Sequence, residues 1–106
     1  MPYITGKVIE WVDDTDYPGT VRIEVIDADG KKWYFTEKNV VVDDDNLLSP
    51  DKKYPIDIPL ACKIVKKDKD YITVSTQEPW GLETEDGVSE FRMNASQVSK
   101  SSPHVK

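Results

Sequence analysis

The alternation of apolar and polar residues at every second position is the feature that most restricts the folds open to this chain. Residues 21–25 alternate between valine or isoleucine and a charged residue, which is typical of a strand with one buried face. A turn with two aspartates and a glycine follows at residues 27–30, and residues 32–36 are aromatic and β-prone. Residues 20–37 are therefore predicted to form a β-hairpin.

Similar patterns predict further strands along the chain. A first strand is predicted over residues 3–12, and a second clear alternation runs over residues 56–64. Pro55 and Pro59 share the polar face of that segment, and proline donates no hydrogen bond to a neighbouring strand. The start of the strand is therefore expected at a sheet edge. Shorter strands are predicted at residues 40–42, 71–76, 82–84 and 88–93, with a single helical turn at residues 94–98.

These elements predict an all-β fold, either a small antiparallel barrel or a half-open β-sandwich of six to seven short strands. The spacing of the turns suits both architectures. With 106 residues the chain is long enough for one hydrophobic core and too short for two. We predict a single β domain over residues 1–98 and a disordered C-terminal tail over the polar residues 99–106.

The acidic residues are unevenly distributed along the chain. Residues 1–57 hold thirteen of the twenty Asp and Glu residues and the whole net charge of −6, whereas residues 58–106 are neutral. An acidic field attracts basic surfaces and repels phosphate backbones. The charge therefore predicts a basic protein partner and disfavours nucleic acid.

The N-terminal residues and the single cysteine bear on the compartment. Residues 1–7 lack the basic start and apolar run of a signal peptide, and no apolar run approaches the length that spans a bilayer. A lone cysteine, Cys62, fits a reducing environment. The expected location is cytoplasmic, without a membrane partner.

Few side chains are suited to catalysis. The single histidine, His104, lies in the predicted tail, where a general base would lack fixed geometry. Cys62 lies on the apolar face of a predicted strand, and a buried thiol is inert. No nucleophile motif or phosphate-binding glycine loop is present. The chain is predicted not to be an enzyme and to need no cofactor.

Metal binding is weighed against the two acidic runs, residues 13–16 and 43–46. Their carboxylates are hard oxygen ligands, but neither run has the central glycine and closing glutamate of the twelve-residue calcium loop. Structural zinc needs cysteine and histidine ligands in larger number. No metal site is predicted.

The residues expected to contact a partner are acidic or aromatic residues in predicted turns. Carboxylates there would sum to a negative field, and an aromatic residue beside proline or glycine can anchor an interface or simply cover the core. The predicted partner-binding set is Asp13, Asp14, Asp16, Tyr17, Asp43, Asp44, Asp45 and Trp80.

In its size, acidity and all-β character the chain resembles the immunity proteins of bacterial toxin–immunity pairs, including contact-dependent growth inhibition systems. The resemblance extends over the whole chain and involves no motif. It implies an inhibitor that blocks the active-site cleft of a cognate basic toxin, such as a nuclease. The alternative is an oligonucleotide-binding-type barrel that stacks single-stranded nucleic acid on Trp33, Tyr34 and Phe35, although core packing is the more common role of such aromatics.

Overall fold

The computed structural model of the chain describes residues 2–13, 19–38, 42 and 52–99. Within these ranges the chain forms eight β-strands and one 3-10 turn at Ala95–Gln97. The strands are β1 (Tyr3–Asp13), β2 (Thr20–Ile26), β3 (Lys32–Lys38), β4 (Ile56–Ala61), β5 (Lys63–Lys67), β6 (Tyr71–Ser75), β7 (Glu90–Asn94) and β8 (Val98–Ser99).

The strands form two antiparallel sheets. The first sheet has the order β3-β2-β1-β4, and β8 pairs with the first two residues of β1. The second sheet has the order β5-β6-β7. The all-β prediction is confirmed, and the sheets do not close into a barrel. Among the two architectures left open by the sequence, the observed one therefore corresponds to the half-open form.

The β2–β3 hairpin is organised by the side chain of Asp27. Its Oδ1 accepts hydrogen bonds from the backbone N–H groups of Asp29 (2.9 Å) and Lys31 (3.0 Å). Gly30 completes the turn with φ of +79°, a conformation that favours glycine. The paired strands extend from Thr20↔Lys38 to Ile26↔Lys32, which confirms the predicted hairpin.

β4 and β5 are nearly continuous; β4 belongs to the first sheet and β5 to the second. Cys62 separates them, and its N–H donates a 2.9 Å hydrogen bond to the carbonyl of Pro2. β4 lies at the edge of the first sheet, as its prolines predicted, because Pro59 cannot donate to a second neighbour. One chain segment thus joins the two sheets without a loop.

The core lies between the sheets and includes residues from both. Phe35 of the first sheet meets Phe91 of the second at a centroid distance of 5.8 Å, and Trp33 meets the same ring edge-on at 5.4 Å. The buried cluster comprises Ile4, Val8, Val21, Ile23, Val25, Phe35, Val42, Ile58, Leu60, Cys62, Val74, Leu82, Phe91 and Met93. Burial of this apolar surface is the main stabilising contribution to the fold.

Residues 82–84 do not form the predicted strand. Buried Thr76 holds this segment instead: its Oγ1 donates to the carbonyl of Leu82 at 2.9 Å, and its N–H donates to that of Ser89 at 2.8 Å. Because hydrogen bonds to the buried residue Thr76 hold this connection in place, it does not need to pair with a strand. The local alternation of residues 82–84 could not reveal that contact.

Other boundaries differ from the sequence predictions in detail. Ser99, assigned to the tail, is the last residue of β8 and pairs with Tyr3. The strand β8 is too short to produce a visible alternation. Cys62 divides one predicted strand into β4 and β5. For these two reasons the described residues form eight strands, whereas six to seven were expected. The backbone of Val42, the last residue of the strand predicted over residues 40–42, is helical, so that prediction is wrong at Val42. Residues 40, 41 and 100–106 lie outside the described residues.

Gly6 provides a test of this packing. A Cβ at Gly6 would lie 2.7 Å from Leu60 Cδ1 and 2.8 Å from Ile23 Cγ2, two buried side chains that cannot move freely. We expect Gly6→Ala to lower the free energy of unfolding by about 1–3 kcal/mol, the usual cost of overpacking a core. Urea unfolding measures it, with Thr5→Ser at the exposed neighbouring position as the control. Equal stability of Gly6→Ala and wild type would contradict the packing.

Candidate functional site

The structure describes two of the eight predicted partner-binding residues. Asp13 is the last residue of β1 and pairs with Thr20 of β2, while its side chain lies outside the description. Trp80 is fully described. The other six, Asp14, Asp16, Tyr17, Asp43, Asp44 and Asp45, lie outside the described residues.

Trp80 covers one side of the core. It is half-buried and packs against the buried apolar cluster. The turn that carries it is closed by a 2.7 Å hydrogen bond from the N–H of Gly81 to the carbonyl of Gln77, with Gly81 at φ +67°. The structure thus shows Trp80 packed against the core, and a contact between Trp80 and a partner stays a prediction.

Three strand ends next to the acidic segments lie at the same end of the first sheet. Asp13 at the end of β1 pairs with Thr20 at the start of β2, and Thr20 pairs with Lys38 at the end of β3. β4 begins at Ile56, which pairs with Val8 and so lies five residues short of Asp13 along β1. We call the shared end, defined by Asp13, Thr20 and Lys38, the acidic end.

The two segments attached to the acidic end account for the charge of the protein. Residues 13–18 and 39–51 contain seven aspartates and no lysine or arginine. The remaining residues hold thirteen acidic and fourteen basic side chains. The net charge of −6 therefore originates in these two segments, and the rest of the chain is close to neutral.

Trp11 fixes the base of the first acidic segment. Its ring packs against the core and covers Gly19 so closely that a Cβ there would overlap the ring. The next residue, Val12, leaves its side chain 48% exposed beside Asp13. The acidic end thus combines a rigid base with one exposed apolar side chain.

A group of four residues, which we call the Arg22 clamp, joins the loop after β6 to the first sheet. The guanidinium of Arg22 binds the Glu85 carboxylate through Nε (2.9 Å) and Nη2 (3.1 Å). Thr36 Oγ1 donates to the same carboxylate at 2.7 Å, and Arg22 lies 4.2 Å above the ring of Tyr34. The N–H of Glu85 also donates to the Tyr34 carbonyl on the outer side of β3 at 2.8 Å.

In the Arg22 clamp, the charges of Arg22 and Glu85 pair with each other. Their side chains are about one-third exposed (34% and 38%), so this ion pair alone contributes little to stability. Hydrogen bonds from Arg22 and Thr36 hold the pKa of Glu85 below its ordinary value. Sequence analysis missed this group because Arg22 and Glu85 are separated by 63 residues and match no motif.

A second set of contacts joins the hairpin turn to β7. The N–H of Ala28 donates to the Arg92 carbonyl at 2.9 Å, the Arg92 guanidinium binds the Asp29 carboxylate, and its Cζ lies 4.6 Å above the Tyr71 ring. The turn of the β2–β3 hairpin therefore contacts the second sheet through both the backbone and the side chain of Arg92. Burial alone would raise the pKa of Asp27, but hydrogen bonds from Trp33 and from two backbone N–H groups outweigh it and lower that pKa.

Glu37 and Glu83 place like charges close together beside β3. Glu37 is half-buried, and the loss of water around its carboxylate raises its pKa, with a further increase from the Glu83 charge. The ionised form of Glu37 is therefore a cost to the folded state at neutral pH.

The described residues offer neither a reactive thiol nor a cluster of metal ligands. Cys62 is fully buried, and burial raises the pKa of its thiol to about 11, which keeps it protonated and unreactive. In the described ranges no three His, Cys, Asp or Glu side chains lie together as a metal site would require. The same ranges contain no helix long and apolar enough to cross a bilayer. Comparison with protein-family models, curated proteins and solved structures found no match to this chain.

The Arg22 clamp predicts a specific dependence of stability on pH. Because the pKa of Glu85 is lowered by folding, its stabilising effect is present above the ordinary value of 4.5 and is lost as pH falls through the lowered pKa. We expect Glu85→Gln to lower the urea midpoint at pH 7 and to reduce its decline between pH 7 and pH 3. Glu90→Gln, on the second sheet, is the control. An unchanged acid dependence in Glu85→Gln would contradict the clamp.

For Glu37, replacement by glutamine is predicted to raise stability at neutral pH, the opposite of the effect at Glu85. Because its pKa is raised by folding, replacing it with glutamine removes a cost that exists only at pH values above its ordinary pKa of 4.5. We expect Glu37→Gln to stabilise the protein by about 0.5 kcal/mol at pH 7, with the gain fading as pH falls toward 4.5 and absent below that value. Glu83→Gln removes only the neighbouring charge and should give a smaller gain. Destabilisation by Glu37→Gln at pH 7 would refute this interpretation.

Proposed function

We propose that this chain is a non-catalytic binding module that neutralises a basic protein partner, in the manner of the immunity proteins it resembles. The observation that carries the proposal is the common position of Asp13, Thr20 and Lys38 at one end of the first sheet. Both acidic segments are attached there. A surface on which all the excess negative charge is anchored at one place suits recognition of a basic cleft.

The spacing of the strands supports addition of the charges. Neighbouring strands lie about 4.8 Å apart, so the ends of β1 and β3 are separated by about 10 Å. That distance is comparable to the Debye length of about 10 Å at 0.1 M ionic strength. Charges attached to these strand ends act on a partner together, because salt screens them from one another only in part.

The described part of the acidic end suits a stable interface. Trp11 and Gly19 give it a fixed base, so less conformational entropy is lost on binding than with a wholly flexible attachment. The exposed side chain of Val12 offers an apolar contact beside the carboxylates. Steered association followed by slow release is the combination that an inhibitor of a toxic enzyme needs.

The nucleic-acid alternative has weaker support. Phe35 is fully buried, and Trp33 packs edge-on against Phe91, so both rings belong to the core. The face of Tyr34 is covered by Arg22. An aromatic platform for bases would require these rings to face solvent together.

Charge neutralisation provides the test. The immobilised chain captures its partner from a lysate of the host, and association with the purified partner is then followed by surface plasmon resonance at several salt concentrations. We expect Asp43→Asn/Asp44→Asn/Asp45→Asn to slow association by about tenfold or more at low salt and to flatten its salt dependence. The stability of the variant should stay close to that of wild type.

A matched control separates location from net charge. Asp68→Asn/Asp70→Asn/Asp86→Asn removes the same number of negative charges, at exposed positions between the described strands. It should leave the association rate within about twofold of wild type. Unchanged rates in the first variant, or equal slowing in both variants, would overturn the role of the acidic end. Capture of nucleic acid without a basic protein would favour the alternative function.

A further inference from the structure

The outer edge of β5 presents backbone groups without a partner strand in the described residues. Cys62 directs its N–H to Pro2, on the side of the chain where β1 lies. Successive residues of a strand direct their backbone groups to opposite edges, so Lys63 faces away from β1 and Ile64 faces the β1 side again. β1 begins at Tyr3, which pairs with Ala61, and runs away from Ile64, so no described residue of β1 lies opposite Ile64.

The second sheet confirms this assignment of edges. The N–H of Thr76 donates to the Ser89 carbonyl near β7, so the preceding Ser75 directs its backbone groups to β5. Ser75 pairs with Lys63. β6 therefore lies on the side of β5 opposite to β1, and the backbone of Ile64 is directed to the free edge.

An apolar groove of about 670 Å³ adjoins this free edge. Its walls are Pro2, Cys62, Ile64 and Pro79, and Lys63 and Glu78 stand at its rim with a nitrogen–oxygen separation of 4.0 Å. We call it the β5 groove. Its volume is sufficient for an apolar side chain projecting from a strand laid along the edge.

The charges along β5 select the chemistry of the occupant. Lys63, Lys66 and Lys67 are all exposed, and a bulge between Ile64 and Lys66 leaves Val65 51% exposed. Lys63 and Lys66 form only loose, solvent-exposed ion pairs, with Glu78 at 4.0 Å and with Asp68 at 3.8 Å. Two copies joined edge to edge through β5 would bring lysines into proximity, which is unfavourable. An acidic strand would instead meet opposite charges.

We propose that the free edge of β5 binds an extended acidic segment of another protein by strand addition. The segment runs alongside β5, pairs with the backbone of Ile64, and inserts an apolar side chain into the β5 groove. Its carboxylates face the lysines of β5. This surface differs in place and in sign of charge from the acidic end, so it does not depend on the function proposed above.

The first test uses a synthetic peptide as the probe. A fluorescein-labelled peptide alternating glutamate and valine over about six residues matches the length of a typical strand. We expect saturable binding by fluorescence anisotropy and slower hydrogen exchange at the Ile64 amide. The same peptide with lysine in place of glutamate should bind at least tenfold more weakly. Absence of binding by the acidic peptide would overturn the proposal.

Two controls identify the mode of binding. Two N-methylated versions of the peptide, one methylated at odd positions and one at even positions, each lose the hydrogen-bond donors of one peptide edge and keep the charge. The version methylated on the edge that pairs with β5 should bind at least tenfold more weakly, and the other version should not. Lys66→Glu/Lys67→Glu should weaken binding tenfold or more, whereas Lys52→Glu/Lys53→Glu, an equal charge change at exposed lysines elsewhere, should not. Neither protein variant alters the core, so folding is preserved.

Other occupants would give different results. Binding that is insensitive to N-methylation on both edges but is competed by a single-stranded oligonucleotide would show a general anion surface and overturn strand addition. Concentration-dependent dimerisation with protection of Ile64 in the absence of peptide would show that a second copy occupies the edge, which also overturns the proposal.

Discussion

The passage of one strand segment between two sheets is the constraint on which the rest of the structure depends. β4 and β5 are separated by Cys62 alone, whose N–H is bound by Pro2 and whose side chain is fully buried. Because β4 pairs with β1 and β5 pairs with β6, the two sheets are held close at this crossing. The apolar faces of both sheets can then share one core, in which Phe35 and Phe91 meet.

The crossing also separates the charged surfaces of the protein. The first sheet carries both acidic segments at one end, whereas the lysines of β5 lie on the second sheet. In the Arg22 clamp, Arg22 and Thr36 bind the Glu85 carboxylate, and the loop that carries Glu85 covers the outer side of β3. The segments rich in aspartate and the exposed lysines of β5 are therefore attached to different sheets.

Local patterns predicted a large part of the fold. The β2–β3 hairpin followed from alternation and turn chemistry, and the edge position of β4 followed from Pro59, because both depend on residues close in sequence. The Arg22 clamp and the packing of Trp80 could not be predicted in this way. They depend on which distant segments meet, and a single sequence contains no periodic signal for such contacts.

The sequence by itself determined that the chain is all-β, where its central hairpin turns, and that its negative charge is concentrated in residues 13–18 and 39–51. Only the tertiary structure decided that the strand ends flanking these segments lie at one end of a sheet, and that the edge of β5 is open in the described residues. The physical reason is that alternation specifies which face of a strand is buried. The order of strands in a sheet is selected by packing of the whole core.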